Sequence, residues 1–310
     1  MGKLQVYKKA MQLMGNQFEI SVVATEETWA YTCIDKGVDE IKRIEQLLTT
    51  YKASSETNFI NINAGITPVK VSLETLNLIE RSLRISSATQ GAFDITYGSA
   101  DKRLWNFDAT LKVLPSKEKA KEAVKLINYK NVIIDRENST VYLREKGMRI
   151  GFGGIGKGYA AERAKLVMQM AGAVSGIVNA SGDLATWGKQ PDGSKWTIGI
   201  AHPDLAGKIF SYMTISDLAI ATSGNYEKFI MIEGKKYSHT INPRTGLPVT
   251  GIKSVTIISS NAEIADAMAT PVMIMGIKAG LHMINQMKDV EAIIIDDDNK
   301  LYASNSIKLS

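Results

Sequence analysis

The sequence has little of what several classes of protein require. Cys33 is the only cysteine among 310 residues, which excludes an internal disulfide and any cysteine-ligated metal cluster. No apolar run approaches the ~20 residues of a membrane span, and there is no low-complexity segment and no short repeat. Lysine and arginine exceed aspartate and glutamate by only 37 − 32 = 5, with the charges interspersed. No basic stripe suited to nucleic acid is therefore present. The first fourteen residues carry lysines but no continuous apolar stretch, so no export leader is read there and the chain, as written, is expected to be cytoplasmic.

What stands out is glycine, concentrated in one place. The run R-I-G-F-G-G-I-G-K-G-Y-A-A-E-R-A-K at 149–165 holds Gly151, Gly153, Gly154, Gly156 and Gly158, five glycines within eight residues. Each forfeits side-chain packing and raises the entropy of the unfolded chain, so something requires bare backbone there. The run passes directly into a strongly helix-forming segment reaching Met170. A glycine loop opening a helix presents N–H groups and the positive end of the helix dipole, a site for phosphate.

Two familiar motifs overlay the loop and fail on context. Gly151, Gly153 and Gly156 spell G-x-G-x-x-G, yet the loop lies mid-chain with Ser175-Gly-Ile-Val-Asn-Ala where a dinucleotide fold places an acidic residue. Gly151 to Lys157 fits G-x-x-x-x-G-K, but Gly158 replaces the Ser/Thr that a P-loop places on magnesium. A plainer alternative is a turn that lets a helix pack close to a sheet.

At 310 residues the chain can bury a large core, and a single domain spanning 1–310, made of two closely packed lobes, is expected. Alternation predicts strands over 3–24, interrupted by a turn at Met14-Gly15-Asn16. Helical spacing covers 35–48, and Tyr51 follows in a polar loop, where a surface aromatic is the plain reading. Ser72 caps a second helix with Leu73, Leu76, Ile79 and Leu83 inward. Beyond it Gly91 and Asp94 break the periodicity, and Asp94 alone reads as a turn residue. Ser116 opens a third helix to about Ile127, and 132–143 reads as a hairpin feeding the glycine loop.

After the central helix, a short strand at 176–180 ends in small and polar residues, where ligands tend to sit. Strands follow at 197–201, 212–215 and 218–221, then a hairpin around Glu233-Gly234, a strand at 254–259, helices at 262–275 and 281–287, and a strand at 292–295. This irregular alternation with hairpins favours an α+β fold over a doubly wound parallel sheet.

Two groups could carry chemistry. Asp266 and Thr270, four apart on an otherwise apolar helix, point the same way. A carboxylate and a hydroxyl near phosphate donors could hold a magnesium that takes its other ligands from water and phosphate. The alternative is an ordinary polar helix face, but an Asp amid Ile264, Ala265, Ala267 and Met268 needs a buried partner or a cation. Of three histidines, His202 before Pro203 and His282 on a helix read as structural. His239, in Ser238-His-Thr-Ile-Asn-Pro-Arg-Thr-Gly, is surrounded by hydrogen-bonding and loop-forming residues and suits proton abstraction from a hydroxyl.

Together these segments resemble the ApbE family of FAD:protein FMN transferases, from Met14 to about Thr270. The matching elements are Met14-Gly15, 48–51 with Ser54-Ser-Glu, Gly91-Ala-Phe-Asp, the glycine loop through Glu162, Asn179-Ala-Ser-Gly-Asp, Thr222-Ser-Gly, the His239 segment and Ala265-Asp-Ala-Met-Ala-Thr. The resemblance implies two α/β lobes with mixed and antiparallel sheets and the FAD and metal site in the cleft between them. It implies magnesium-dependent cleavage of FAD, transfer of FMN to a threonine of an acceptor flavoprotein carrying a target motif, and release of AMP. Met14, Tyr51, Ala92, Phe93, Asp94, Gly151, Lys157, Thr222, Ser223 and Ile241 would then bind FAD. Gly154, through its carbonyl, Asp266 and Thr270 would hold Mg2+, and His239 would be the base.

Family members are commonly exported, many as lipoproteins, so a periplasmic or membrane-anchored form is the alternative location for a sequence trimmed of its leader. Two departures stand out: Gly151 occupies a position that is often Asp in the family, and Ala269 one where some members carry a further acidic metal ligand. Two other activities fit the same elements: an FAD pyrophosphatase yielding FMN and AMP, and a non-catalytic flavin-binding protein.

Overall fold

The computed structural model describes residues 2–104, 113–201, 209–224, 229–232 and 234–307. His202 and Glu233 lie outside the described residues. The chain opens with strands β1 (Gln5–Leu13) and β2 (Asn16–Ala24), then helices α1 (Glu27–Leu48) and α2 (Glu56–Ile62), the short strand β3 (Val69–Lys70) and helix α3 (Leu73–Ala88). A 3-10 turn at Ile95–Ser99 and helix α4 (Lys117–Ala123) precede strands β4 (Val132–Asp135) and β5 (Thr140–Leu143). Helix α5 (Gly156–Met170) leads into β6 (Gly176–Ala180), β7 (Asp183–Trp187), β8 (Trp196–Ala201), β9 (Ile209–Ile215), β10 (Ala219–Gly224), β11 (Phe229–Ile232), β12 (Lys235–Ser238) and β13 (Ile252–Ser259). Helices α6 (Ala262–Met275) and α7 (Ile277–Ile284) and strands β14 (Val290–Asp296) and β15 (Leu301–Ala303) close it.

The fold is α+β, as expected from the irregular order of elements. Eight strands form one sheet in the order β1-β2-β6-β7-β10-β13-β14-β15, with smaller sheets β3-β5-β4, β8-β9 and β11-β12. Every pairing among the described strands is antiparallel, so the mixed sheet expected beside antiparallel ones has no counterpart there. Tight turns at Met14-Gly15 and Ser181-Gly182, both pairs at positive φ, fold β1 onto β2 and β6 onto β7 as antiparallel neighbours.

The large sheet is a middle layer. Ile20, Val22, Val178, Ala185, Val255 and Ile257 pack with residues of α1, α5 and α6 on one face, in a core that also takes in Val141 and Leu143 of the small sheet. Val23, Leu184, Ile220 and Ile258 of the other face meet Trp196, Ile198 and Ile215 of the β8-β9 ribbon. This explains why β13 is buried along its whole length. Among the described residues no helix is long and apolar enough to cross a membrane.

Some local expectations shift. Helix α1 begins at Glu27 rather than Asp35, because Ala30, Cys33 and Ile34 extend its buried stripe. The loop after Tyr51 contains α2, a seven-residue helix capped by Ser55, whose Oγ accepts from the Asn58 N–H at 3.0 Å. Ser72 caps α3 as expected, but Leu73 in its first turn is exposed, and Leu78 is buried together with Leu76 and Ile79. The helix capped by Ser116 stops at Ala123, four residues short of Ile127, and the last helix runs 277–284 rather than 281–287.

The loop glycines are not there for backbone twist, since none of the five takes a positive φ. One is there for contact: a Cβ on Gly158 would lie 2.1 Å from the Ala262 carbonyl oxygen, so α5 and α6 cross with backbone against backbone. This is the plainer reading of the glycines, realised between two helices rather than against a sheet. Gly158→Ala is therefore expected to destabilise the protein by ~3 kcal/mol or more in urea unfolding, above the usual cost of overpacking. Gly153→Ala, whose Cβ meets nothing within 4 Å, is expected to cost less than ~1 kcal/mol.

Candidate active site

A helix leaves its first amides without partners inside the helix, and Ile155 at the head of α5 offers no side-chain cap. The Gly156 N–H turns back to the Phe152 carbonyl at 2.6 Å. The Gly158 N–H donates to Asp266 Oδ2 at 2.9 Å, and the Lys157 N–H donates to the same carboxylate. In return the Ala262 N–H, at the head of α6, donates to Glu162 Oε2 at 2.9 Å. Each helix thus caps the other with an acidic side chain. This corrects the expectation that the α5 amides stand open to phosphate: those of Lys157 and Gly158 already bind Asp266.

Asp266 is only 7% exposed. Burial, and then repulsion from Asp183, push its carboxyl up to about 7, against the pull of the Lys157 ammonium and the two amides. Asp183, at the start of β7, is 3% exposed. Its carboxyl is also raised by burial, although the carboxylate accepts from the Thr222 N–H and the Lys157 ammonium lies 2.6 Å from Oδ2 as an ion pair. Two buried carboxylates thus share one ammonium.

The remaining expected residues gather around this core to different degrees. Thr270, one turn beyond Asp266, shares a hydrogen bond of 3.0 Å with the Ser223 hydroxyl. The Thr222 hydroxyl is tied to Thr256 within the sheet at 2.9 Å, leaving its amide for Asp183. The buried Phe93 ring packs on Gly154, with Cε2 3.6 Å from where a Cβ would stand, and Ala92 beside it is buried. Met14, held at positive φ in the β1–β2 turn, reaches Gly156, its Cε 3.8 Å from the corresponding point. The Gly151 N–H donates to the Ile95 carbonyl at 3.0 Å.

Asp94 has the turn role that its sequence position suggests. Oδ1 accepts from the Thr96 N–H and hydroxyl at 2.8 and 2.6 Å, and Oδ2 from the Tyr129 N–H at 3.0 Å. Both oxygens are committed to holding the Ala92-Phe93 loop. Ile241 is buried, and its N–H donates to the Tyr97 hydroxyl at 3.2 Å, which fastens the His239 segment to the 3-10 turn after Asp94. Ser238 is fully buried and accepts from the Thr240 N–H at 3.1 Å, while His239 between them is exposed. Tyr51 stands apart at 95% exposed, three residues beyond the end of α1.

Neither Asp183 nor Glu162 has a role in the reading of the sequence, although each ends a segment singled out there. The available signal was an acidic residue at the start of a strand and another nearly two turns inside the glycine-opened helix. The electron-pair donors near Asp266, its own carboxylate with that of Asp183 and the hydroxyls of Thr270 and Ser223, are oxygens, which suits a hard divalent cation, and a cation would offset the charge of the two carboxylates. Among the described residues no group of three His, Cys, Asp or Glu could hold a metal ion, so a cation here would draw on carbonyl, hydroxyl and substrate oxygens as well.

The sequence profile of the ApbE family matches residues 14–294. The chain is 29% identical to an FAD:protein FMN transferase of Klebsiella pneumoniae (strain 342), over 98% of this chain and 94% of that protein. It is 30% identical over 285 residues to one of Vibrio cholerae, covering 89% of this chain and 83% of the relative. Among solved structures, the ApbE protein of Thermotoga maritima superposes with a TM-score of 0.85 at 30% identity, covering 97% of this chain and 98% of that one.

The burial of Asp266 has a measurable pH signature. Its carboxyl titrates near 7 when folded, against ~3.9 when unfolded. Between those values the folded state holds a proton that the unfolded state has released, so stability falls as pH rises from ~4 to ~7. In chelator, thermal melts across this range should show the wild type losing stability relative to Asp266→Asn, by at most ~4 kcal/mol. A difference that stays flat or grows in favour of the wild type would refute the assignment.

Proposed function

The chain belongs to the ApbE family, and from that premise we infer that it is an FAD:protein FMN transferase. It takes FAD as substrate and an acceptor flavoprotein as partner, and the whole of 1–310 serves as one catalytic domain. The observation that carries this reading is the meeting of Asp266 with the first turn of α5, with Lys157 and Asp183 alongside and Thr270 one turn away. These groups together could bind a diphosphate and its counterion.

The hydroxyl oxygen of an acceptor threonine attacks the FMN-side phosphorus of FAD. A new P–O bond forms, the P–O bond to AMP breaks, and AMP leaves with the electron pair. His239 takes the hydroxyl proton. Its exposure, on a segment pinned by Ser238 and Ile241, lets it reach a residue of another protein. Met14, Phe93 with Ala92 and Ile241 form walls for the flavin end, Asp94 holds the loop bearing Phe93, and Tyr51 offers an open aromatic face for stacking.

Gly151 contributes bare backbone, and Thr222 and Ser223 support the carboxylate side from β10. The fit to magnesium rests on the oxygen donors of the Gly154 carbonyl, Asp266 and Thr270. Bound there, the ion would neutralise charge on the diphosphate as the bond to AMP breaks. The two amides that grip Asp266 keep its carboxylate aimed across the α5–α6 crossing.

Intact-mass spectrometry tests this directly, using the protein with FAD, magnesium and a flavoprotein fragment bearing the target threonine. The wild type is expected to add FMN to the fragment and release AMP, and Asp266→Ala to do neither. His239→Ala should slow transfer by a factor of ~10² to 10⁴ while FAD binding, read by flavin fluorescence, stays unchanged. FMN and AMP with an unmodified fragment would replace this reading with the pyrophosphatase, and intact FAD under magnesium with a non-catalytic flavin binder.

A further inference from the structure

Two charged groups at the site stand where each alone lowers stability. Lys157 lies in the first turn of α5, at the positive end of the helix dipole, where a cation is disfavoured. Asp183 is a buried carboxylate, costly unless it is compensated. Each is accounted for by the other, through the 2.6 Å ion pair. The turn before Asp183 does not need a carboxylate there. Ser181 and Gly182 take positive φ, the Gly182 N–H is bound by Asn179 Oδ1 at 2.9 Å, and the Thr222 N–H would donate equally well to a neutral amide oxygen. What requires the negative charge is the ammonium.

We propose that Asp183 is a positioning residue: it draws the Lys157 ammonium back along α5 and fixes it beside Asp266, where it meets the diphosphate of FAD in one orientation. The inference rests on the transferase reading of the site. Asp183 touches neither substrate nor reacting atoms in this role and acts through Lys157. Its carboxylate also repels the diphosphate, so removing its charge leaves FAD binding intact or tighter while the lysine loses its aim. A role in catalysis therefore separates from a role in affinity.

The test is a double-mutant cycle with Asp183→Asn and Lys157→Met, measuring transfer kinetics with FAD, magnesium and acceptor fragment, FAD affinity by fluorescence, and thermal stability. For D183N the expected results are a folded protein whose melting temperature lies within ~5 °C of the wild type, FAD affinity equal or tighter, and kcat reduced at least tenfold. K157M should fall by a similar factor, and the double variant should be no slower than the slower single one. Reductive methylation mapped by peptide mass spectrometry should label Lys157 faster in D183N than in the wild type.

Wild-type kcat in D183N, or losses that multiply in the double variant, would overturn the proposal, as would a loss of activity that tracks a loss of stability. Asp183→Ser, smaller but still able to accept the Thr222 N–H, is the second variant if Asn does not fold. Wild-type protein run alongside separates the two claims. No adduct from the wild type overturns the transferase reading, whereas full speed in D183N overturns only the role of Asp183.

Discussion

The crossing of α5 and α6 at Gly158 is the constraint on which the site depends. With a Cβ excluded at that point, the helices approach until the Gly158 amide reaches Asp266 and the Ala262 amide reaches Glu162. The first contact gives the N-terminus of α5 the acidic partner its own first turn lacks, the second adds one to the Asn261 cap and Glu263 of α6, and an acidic group near a helix N-terminus is favourable by a few tenths to ~2 kcal/mol. The exchange also fixes register. Sliding one helix along the other would break both caps at once, so Asp266 and Thr270 are held at a set height against the glycine loop.

Around this crossing the layers have separate tasks. The large sheet supplies a rigid floor, sealed behind by the β8-β9 ribbon, and delivers Asp183 and the Thr222 amide from neighbouring strands β7 and β10. Helix α3 braces the front: Arg81 forks onto Glu263 at 2.6 and 3.0 Å, and Tyr159 donates to Glu74 at 2.6 Å. The carboxylates enclosed by this frame are held against their own solvation, and both are pushed towards protonation. A protein selected only for stability would have little reason to keep two buried acids beside one lysine. A protein that must receive a cation and a diphosphate there has one.

Much of this was legible in the sequence, and the exceptions have physical causes. Alternation located β1 and β2, and β6 and α6 stand at the expected 176–180 and 262–275, because these features are local; β7, which carries Asp183, was not foreseen. That Asp266 would find a partner at the end of the glycine run was also legible, since a buried Asp on an apolar helix demands one. Helix α2 was missed because seven residues carry too little periodicity. The occupied amides of α5 could not be read, because their partner lies 108 residues away and nothing in the loop distinguishes a capped amide from an open one. Asp183 escaped for the same reason: a polar residue at a strand end looks like a turn residue until the lysine facing it is placed.

The most direct test of the central claim is a crystal structure of the protein with FAD and manganese, with the metal located by its anomalous signal. The expected result is a peak between the glycine loop and α6, contacting the Gly154 carbonyl, Asp266, Thr270 and the diphosphate of FAD. FAD seated elsewhere, or a metal peak remote from Asp266, would contradict it.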